Sequence, residues 1–202
     1  MYFRKSAALF AVLAASLTTP FAANAQDSGF YAGGAFGQTK AKDTCEGVPI
    51  PCDDKDTSWK IFGGYQINKN FGAELGYVDL GKATAAGTIS GVTVNASIKA
   101  KAWELVGVGT IPFADNFSAY GKLGFFRWDV DASVSATVPG FSVAGSIGDR
   151  GTDFTYGLGL KYDFTKNLAA RLEWQRYNNI GNHATTGKSD VDLFSLGVVF
   201  KF

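Results

Sequence analysis

The chain has 202 residues, with 19 Lys plus Arg against 18 Asp plus Glu, 25 Gly, 17 Phe, 8 Tyr, 4 Trp, 2 Cys and a single His. So even a charge balance removes the basic footprint of a nucleic-acid binder, and only 18% of residues are charged, against about 25% in an ordinary soluble domain. The length fits one or two domains, and glycine and aromatics at this density describe close-packed sheet rather than a helical bundle or a disordered chain.

Residues 1–25 read as a secretory signal peptide. Arg4 and Lys5 form a basic start and the apolar run Ala7 to Leu17 follows. Ala23-Asn24-Ala25 puts small residues where a signal peptidase reads them, so cleavage is expected before Gln26. A membrane-anchoring helix is the competing reading, but it needs about 20 apolar residues, more than this run supplies. The leader holds two basic residues and the only Met, which leaves 17 basic and 18 acidic residues in the mature domain, 26–202. No later segment has 18 consecutive apolar residues. The mature chain is therefore either a soluble periplasmic protein or one that crosses a membrane with strands.

Beyond Gln26 the pattern has period two, which sends successive side chains to opposite faces of a sheet. Eight segments carry it: 29–39, 57–67, 70–81, 99–112, 117–131, 151–164, 168–178 and 191–202. In the third, Phe71, Ala73, Leu75 and Tyr77 oppose Gly72, Glu74 and Gly76. In the sixth, Tyr156, Leu158, Leu160 and Tyr162 oppose Gly157, Gly159, Lys161 and Asp163. Leu172 and Trp174 oppose Arg171, Glu173 and Gln175 in the seventh. In the last, Phe194, Leu196, Val198, Phe200 and Phe202 share one face. No interval sustains a helical i, i+3, i+4 stripe. Three connections are tight (Asn68-Lys69-Asn70, Ala114-Asp115-Asn116 and Thr165-Lys166-Asn167), whereas 40–56, 82–98, 132–150 and 179–190 are long. Short turns at one end and long loops at the other is the asymmetry of an outer-membrane barrel.

The greasy face decides between two barrels, since a lipocalin-like barrel turns its apolar face inward around a ligand. Here the polar face carries Glu74, Glu104, Lys122, Lys161, Arg171 and Glu173, three acids and three bases that neutralise one another. The other face carries Trp59, Ile61, Tyr65, Phe71, Leu75, Tyr77, Trp103, Leu105, Tyr156, Leu160, Tyr162, Leu172, Trp174 and Phe200, with aromatics near strand ends as interfacial girdles require. An unpaired charge at the bilayer midplane costs about 2–4 kcal/mol, so the charges are expected inside a closed, all-β, eight-stranded antiparallel up-and-down transmembrane barrel. The simpler alternative makes them the solvated face of a soluble sandwich.

FGGYQINKNFGAELGYVDLG (62–81), TKNLAARLEWQRYNNIG (165–181) and the FSLGVVFKF end resemble the transmembrane domain of the outer membrane protein A family. GFYAGGAFGQ (29–38) and AYGKLGFFRWDVD (119–131) fit the corresponding strands less specifically, and the likeness covers essentially the whole mature chain. The resemblance implies a multi-pass protein of the Gram-negative cell outer membrane, held in lipid and lipopolysaccharide. It also implies that Phe202, with Phe200, is the signal read by the outer-membrane assembly machinery. Larger family members add a periplasmic peptidoglycan-binding domain, an activity not expected where the sequence stops at Phe202. In the family a luminal Glu pairs with either a Lys or an Arg, and switching partners opens a narrow ion path. Glu74 and Arg171 match two of those positions. The family's Lys falls near Val108, so the switching partner is missing, and Lys161 stands where the family tends to carry an acid. A closed plug of ion pairs is accordingly expected over regulated conduction.

The loops hold any recognition. Cys45 and Cys52 bracket EGVPIP, and in an exported chain an intraloop disulfide is expected, its small ring stabilising somewhat less than the ~3 kcal/mol of a fifteen-residue loop. Two Cys and one distant His do not make a tetrahedral metal site, and no metal or other cofactor is expected. Asp43, Glu46, Asp53, Asp54 and Asp56 surround the pair; a divalent cation shared with lipopolysaccharide is the functional reading of them, a solvated loop the simpler one. Segments 82–98 and 132–150 alternate too, the latter around Pro139-Gly140, and read as projecting hairpins whose edges can add a partner's strand. His183 has no nucleophile in a recognisable arrangement, and glycine pairs such as Gly157 and Gly159 precede no helix that would cradle a phosphate. No enzyme is expected. The expected function is structural, with at most narrow-pore permeation by a monomer; the alternative is adhesion, or recognition by a receptor or phage, through the loops.

Overall fold

The structure is a computed structural model that describes residues 28–42, 52–89, 92–182 and 187–202. The leader, Cys45 and His183 lie outside the described residues, so the signal-peptide, disulfide and last-loop expectations do too. Eight long strands make the fold: β1 Gly29–Ala41, β2 Lys55–Gln66, β3 Phe71–Ile89, β4 Val92–Pro112, β5 Phe117–Val138, β6 Phe141–Asp163, β7 Leu168–Asn182 and β8 Gly187–Lys201. Each pairs antiparallel with its sequence neighbour, and β1 pairs with β8 from Tyr31 opposite Lys201 to Ala41 opposite Val191, which closes the ring. Closure is what lipid demands, because hydrocarbon cannot satisfy the backbone groups of an open edge.

The tight ends are built by turn chemistry. Asn68 Oδ1 accepts from the backbone N–H of Asn70 and of Phe71, both at 2.9 Å. Thr165 Oγ1 does the same for Asn167 and Leu168, at 3.2 and 3.0 Å. At the opposite end the ladders run well past the segments predicted by periodicity. Residues 82–89 and 92–98 are themselves strand, with Thr88 opposite Thr93, and so are 132–138 and 141–150, with Val138 opposite Phe141 across the turn at Gly140, φ +85°. β5 and β6 thereby reach 22 and 23 residues, twice the 9–11 that cross a bilayer. Bulges at Asp79/Lys82 and Tyr177/Ile180 mark where β3 and β7 pass the barrel rim.

Side chains sort by parity. Leu75, Leu105, Leu123, Leu158, Leu172 and Leu196 form an outward belt, with Leu105 at 62% and Leu158 at 64% exposure. Two aromatic girdles bound it. Phe30–Tyr65, Phe117–Tyr162 and Phe200–Phe202 contact near the tight turns, and Trp59, Tyr77 and Trp103 interlock near the opposite rim, with centroids 5.5 and 5.2 Å apart. The interior is layered. Its outer part is an apolar core of Val78, Leu80, Ala102, Phe126, Trp128, Val130, Tyr177, Ile180, Val191 and Leu193. A charged layer lies beneath it.

Candidate functional site

The charged layer is assembled from five strands. β2 supplies Lys60, β3 Glu74, β4 Glu104, β5 Lys122, and β7 Arg171 with Glu173. Each sits at a luminal parity position, and all six are buried, Glu74 and Glu104 to 1% exposure. Their contacts run as one alternating chain. Arg171 Nη1 donates to Glu74 Oε1 at 2.5 Å. Lys122 Nζ lies 2.7 Å from both Glu74 Oε2 and Glu173 Oε2, contacts of charge rather than of hydrogen-bond direction. Lys60 Nζ donates to Glu173 Oε1 and stands 3.6 Å from Glu104 Oε1. Three cations and three anions therefore alternate with no net charge.

Neutral side chains complete the shell. Tyr31 donates to Glu74 at 2.9 Å and Tyr120 to Glu173 at 2.8 Å. Tyr177 and Gln175 both donate to Glu104 at 2.8 Å, and Lys60 donates to the side-chain Oε1 of Gln175 at 2.8 Å. The Arg171 guanidinium is boxed by the rings of Tyr31, Phe62 and Tyr120, 5.0–5.3 Å away. Charges taken out of water are costly unless paired; here every one of the six lies within ion-pair distance of an opposite charge on another strand, while Glu74 Oε2, Glu104 Oε1, Lys122 Nζ and Arg171 Nε make no hydrogen bond among the described residues.

Five of the six residues expected in the lumen meet there: Glu74, Glu104, Lys122, Arg171 and Glu173. Lys161 does not. It points to the tight-turn mouth and pairs with Asp163 at 3.1 Å, and the third base is Lys60. Its signal was present in the sequence, since Lys60 stands between Trp59 and Ile61 of the greasy face and must point the other way. A second correction concerns the missing switching partner. Val108 is indeed apolar and buried against Val106 and Tyr120, but directly across the ladder from it is Lys122. The cation has moved one strand over, and Glu74 holds Arg171 on one oxygen and a Lys on the other. Tyr31, Tyr120 and Tyr177 were missed, and Gln175 was placed on the polar face without a role, because parity gives a face but not a partner.

Two mouths flank this interior. The outer one is a cup of about 260 Å³ floored by Leu80, Val130, Ile180 and Val191. The other, at the tight-turn end, is a cup of about 330 Å³ that includes Tyr31, Tyr120, Arg171, Lys161 and Lys201. Among the described residues there is no group of side chains suited to hold a metal ion.

Comparison with known proteins follows the same lines. Residues 25–202 match the OmpA-like transmembrane domain. Outer membrane protein A of Klebsiella aerogenes is 32% identical over 98% of this chain, and that of Shigella flexneri 33% over 98%. The chain spans about half the length of these relatives, 55% and 56% respectively. Among solved structures, OprG of Pseudomonas aeruginosa superposes with TM-score 0.57 at 14% identity, covering 88% of this chain and 97% of that one. Neisserial surface protein A superposes with TM-score 0.55 at 16% identity, covering 87% and 99%; at such identities these two share the fold alone. The chain belongs to the OmpA-like transmembrane domain family and is an integral β-barrel of the Gram-negative outer membrane.

Proposed function

We propose that this barrel is a structural element of the envelope, monomeric and without enzymatic activity, whose lumen is sealed against all but narrow permeation of small ions. The observation that carries this reading is the stacking of two seals. The alternating chain of Lys60, Glu74, Glu104, Lys122, Arg171 and Glu173 leaves no uncompensated charge to draw an ion in, and the apolar core of Phe126, Trp128, Leu193 and their neighbours lies above it. Exchange of Glu74 between Arg171 and Lys122 would rearrange only the first of these. Lipid and lipopolysaccharide are the partners its outward belt suits. The outward row Phe194, Leu196, Val198, Phe200 of β8, continued by Phe202, suits recognition by the assembly machinery. Planar-bilayer recording tests the sealed lumen: the folded chain should give at most brief, small currents, and long-lived open channels would refute it.

One observation favours a second reading, adhesion or receptor and phage recognition. β6 pairs with β7 only from Thr155 onward, so its stretch Phe141–Gly148 has no strand on its second side among the described residues. Phe141, Val143 and Ile147 are exposed along it. An open edge of this length can accept a strand from a partner. Deleting 132–150 should abolish cell binding while the barrel still folds; binding that survives the deletion excludes this edge.

A further inference from the structure

The charged chain is neutral, but its tight-turn end opens on a mouth that is not. Lys69, Lys161, Lys166, Lys201 and Arg171 all line the 330 Å³ cup there. The first and third come from two separate turns, the others from β6, β8 and β7. Asp163 is shared between Lys161, at 3.1 Å, and Lys201, at 2.5 Å, and Glu74 is shared between Arg171 and Lys122. Lys69 and Lys166 have no carboxylate at ion-pair distance among the described residues. Four lysines thus face one cup, with Asp163 the one carboxylate side chain paired to any of them among the described residues, beside Arg171 at the end of the neutral layer.

Two buried groups point the same way. Thr110 lines the cup at 9% exposure, and its hydroxyl makes no hydrogen bond among the described residues. Arg171, 7% exposed, hydrogen-bonds to protein only through Nη1, on Glu74, and its buried Nε makes no hydrogen bond among the described residues. A concave site walled by low-dielectric barrel and lined by one sign of charge concentrates counter-ions, and Lys and Arg donors with a free hydroxyl match the oxygens of a phosphate. Tight turns face the periplasm in barrels of this class, so the cup opens inward.

We propose that this periplasmic cup is a binding site for a polyvalent phosphate group, seated between the Lys161–Lys201 pair, the turn lysines and the Arg171–Thr110 floor. The site does not depend on whether the lumen conducts. Bound phosphate would also compete with Glu74 for Arg171, leaving Glu74 to Lys122.

The test uses the full chain refolded in phosphatidylcholine nanodiscs, with folding checked by the mobility shift on boiling and pyrophosphate titrated calorimetrically. Saturable binding is expected. Lys161→Gln with Lys201→Gln should weaken it by roughly tenfold or more, the worth of one or two hydrogen bonds to charged groups. Lys69→Gln with Lys166→Gln, which disturbs no ion pair, should weaken it too, and Lys82→Gln with Lys188→Gln at the outer mouth should leave it unchanged. Nanodiscs containing phosphatidylglycerol separate the sources: suppressed titration makes the lipid headgroup the occupant, and unchanged titration makes it a soluble phosphate compound. No saturable binding in phosphatidylcholine, or an affinity in both periplasmic double variants unchanged from that of the unsubstituted chain, overturns the proposal.

Discussion

Glu74 illustrates how much a single buried carboxylate demands. It is held by Arg171, Lys122 and Tyr31 together, and each partner comes from a different strand. Removing one member of a buried ion pair leaves a charge that neither water nor protein compensates, at a cost of about 3–5 kcal/mol. Lys122→Met, which takes the shared cation from both Glu74 and Glu173, should therefore lower stability by about that amount in urea unfolding from lipid vesicles. Arg171→Ala should also destabilise the barrel or raise its single-channel conductance. Lys161→Gln breaks only the partly exposed contact with Asp163 and should cost under about 1 kcal/mol. Equal losses for Lys122→Met and Lys161→Gln would contradict the placement of Lys161 outside the layer. Glycine is constrained just as locally. A Cβ on Gly124 would fall on the Leu105 carbonyl across the ladder, so Gly124→Ala should reduce the folded fraction on refolding, read as loss of the mobility shift on boiling.

Strand parity was legible in the sequence and strand length was not. Alternation in ARLEWQ and GAELGY gave the direction of Arg171, Glu173 and Glu74, because a period of two with a greasy alternate face admits one arrangement in lipid. The same logic, applied to Trp59 and Ile61, points Lys60 inward, but Lys60 was not among the residues expected in the lumen. Above the membrane, where both faces of β3 to β6 are wet, the pattern weakens to Ser, Thr, Ala and Val; 82–98 and 132–150 still read as projecting hairpins, but not as continuations of the membrane ladders. Partners were illegible for a different reason: which Lys meets Glu74 depends on stagger around the barrel, and a shift of one strand replaced Val108 by Lys122. The projecting parts should be energetically separate from the membrane-bound ladders. Deleting 132–150 is accordingly expected to leave the heat-modifiable fold and its unfolding midpoint in detergent unchanged; a collapsed midpoint would show that β5 and β6 need their outer halves.

The molecule as a whole reads as an apolar cylinder around a layered, sealed interior, and its two layers predict distinct leaks. Arg171→Ala opens only the charged layer, so any conductance it yields should rise further when Phe126→Ala and Trp128→Ala also breach the apolar core. An undiminished block in the triple variant would place the seal elsewhere. Every such statement rests on which face meets lipid. The chain has four Trp, of which Trp103 lies on the outward face and Trp128 is buried at 3% exposure in the interior, its Nε1 donating to Asp153 at 2.9 Å. Single-Trp variants retaining one or the other, refolded into vesicles of brominated phospholipid, measure that difference directly. Strong quenching of Trp103 fluorescence with Trp128 left nearly unquenched is the predicted result; quenching of Trp128 with Trp103 spared would contradict the account.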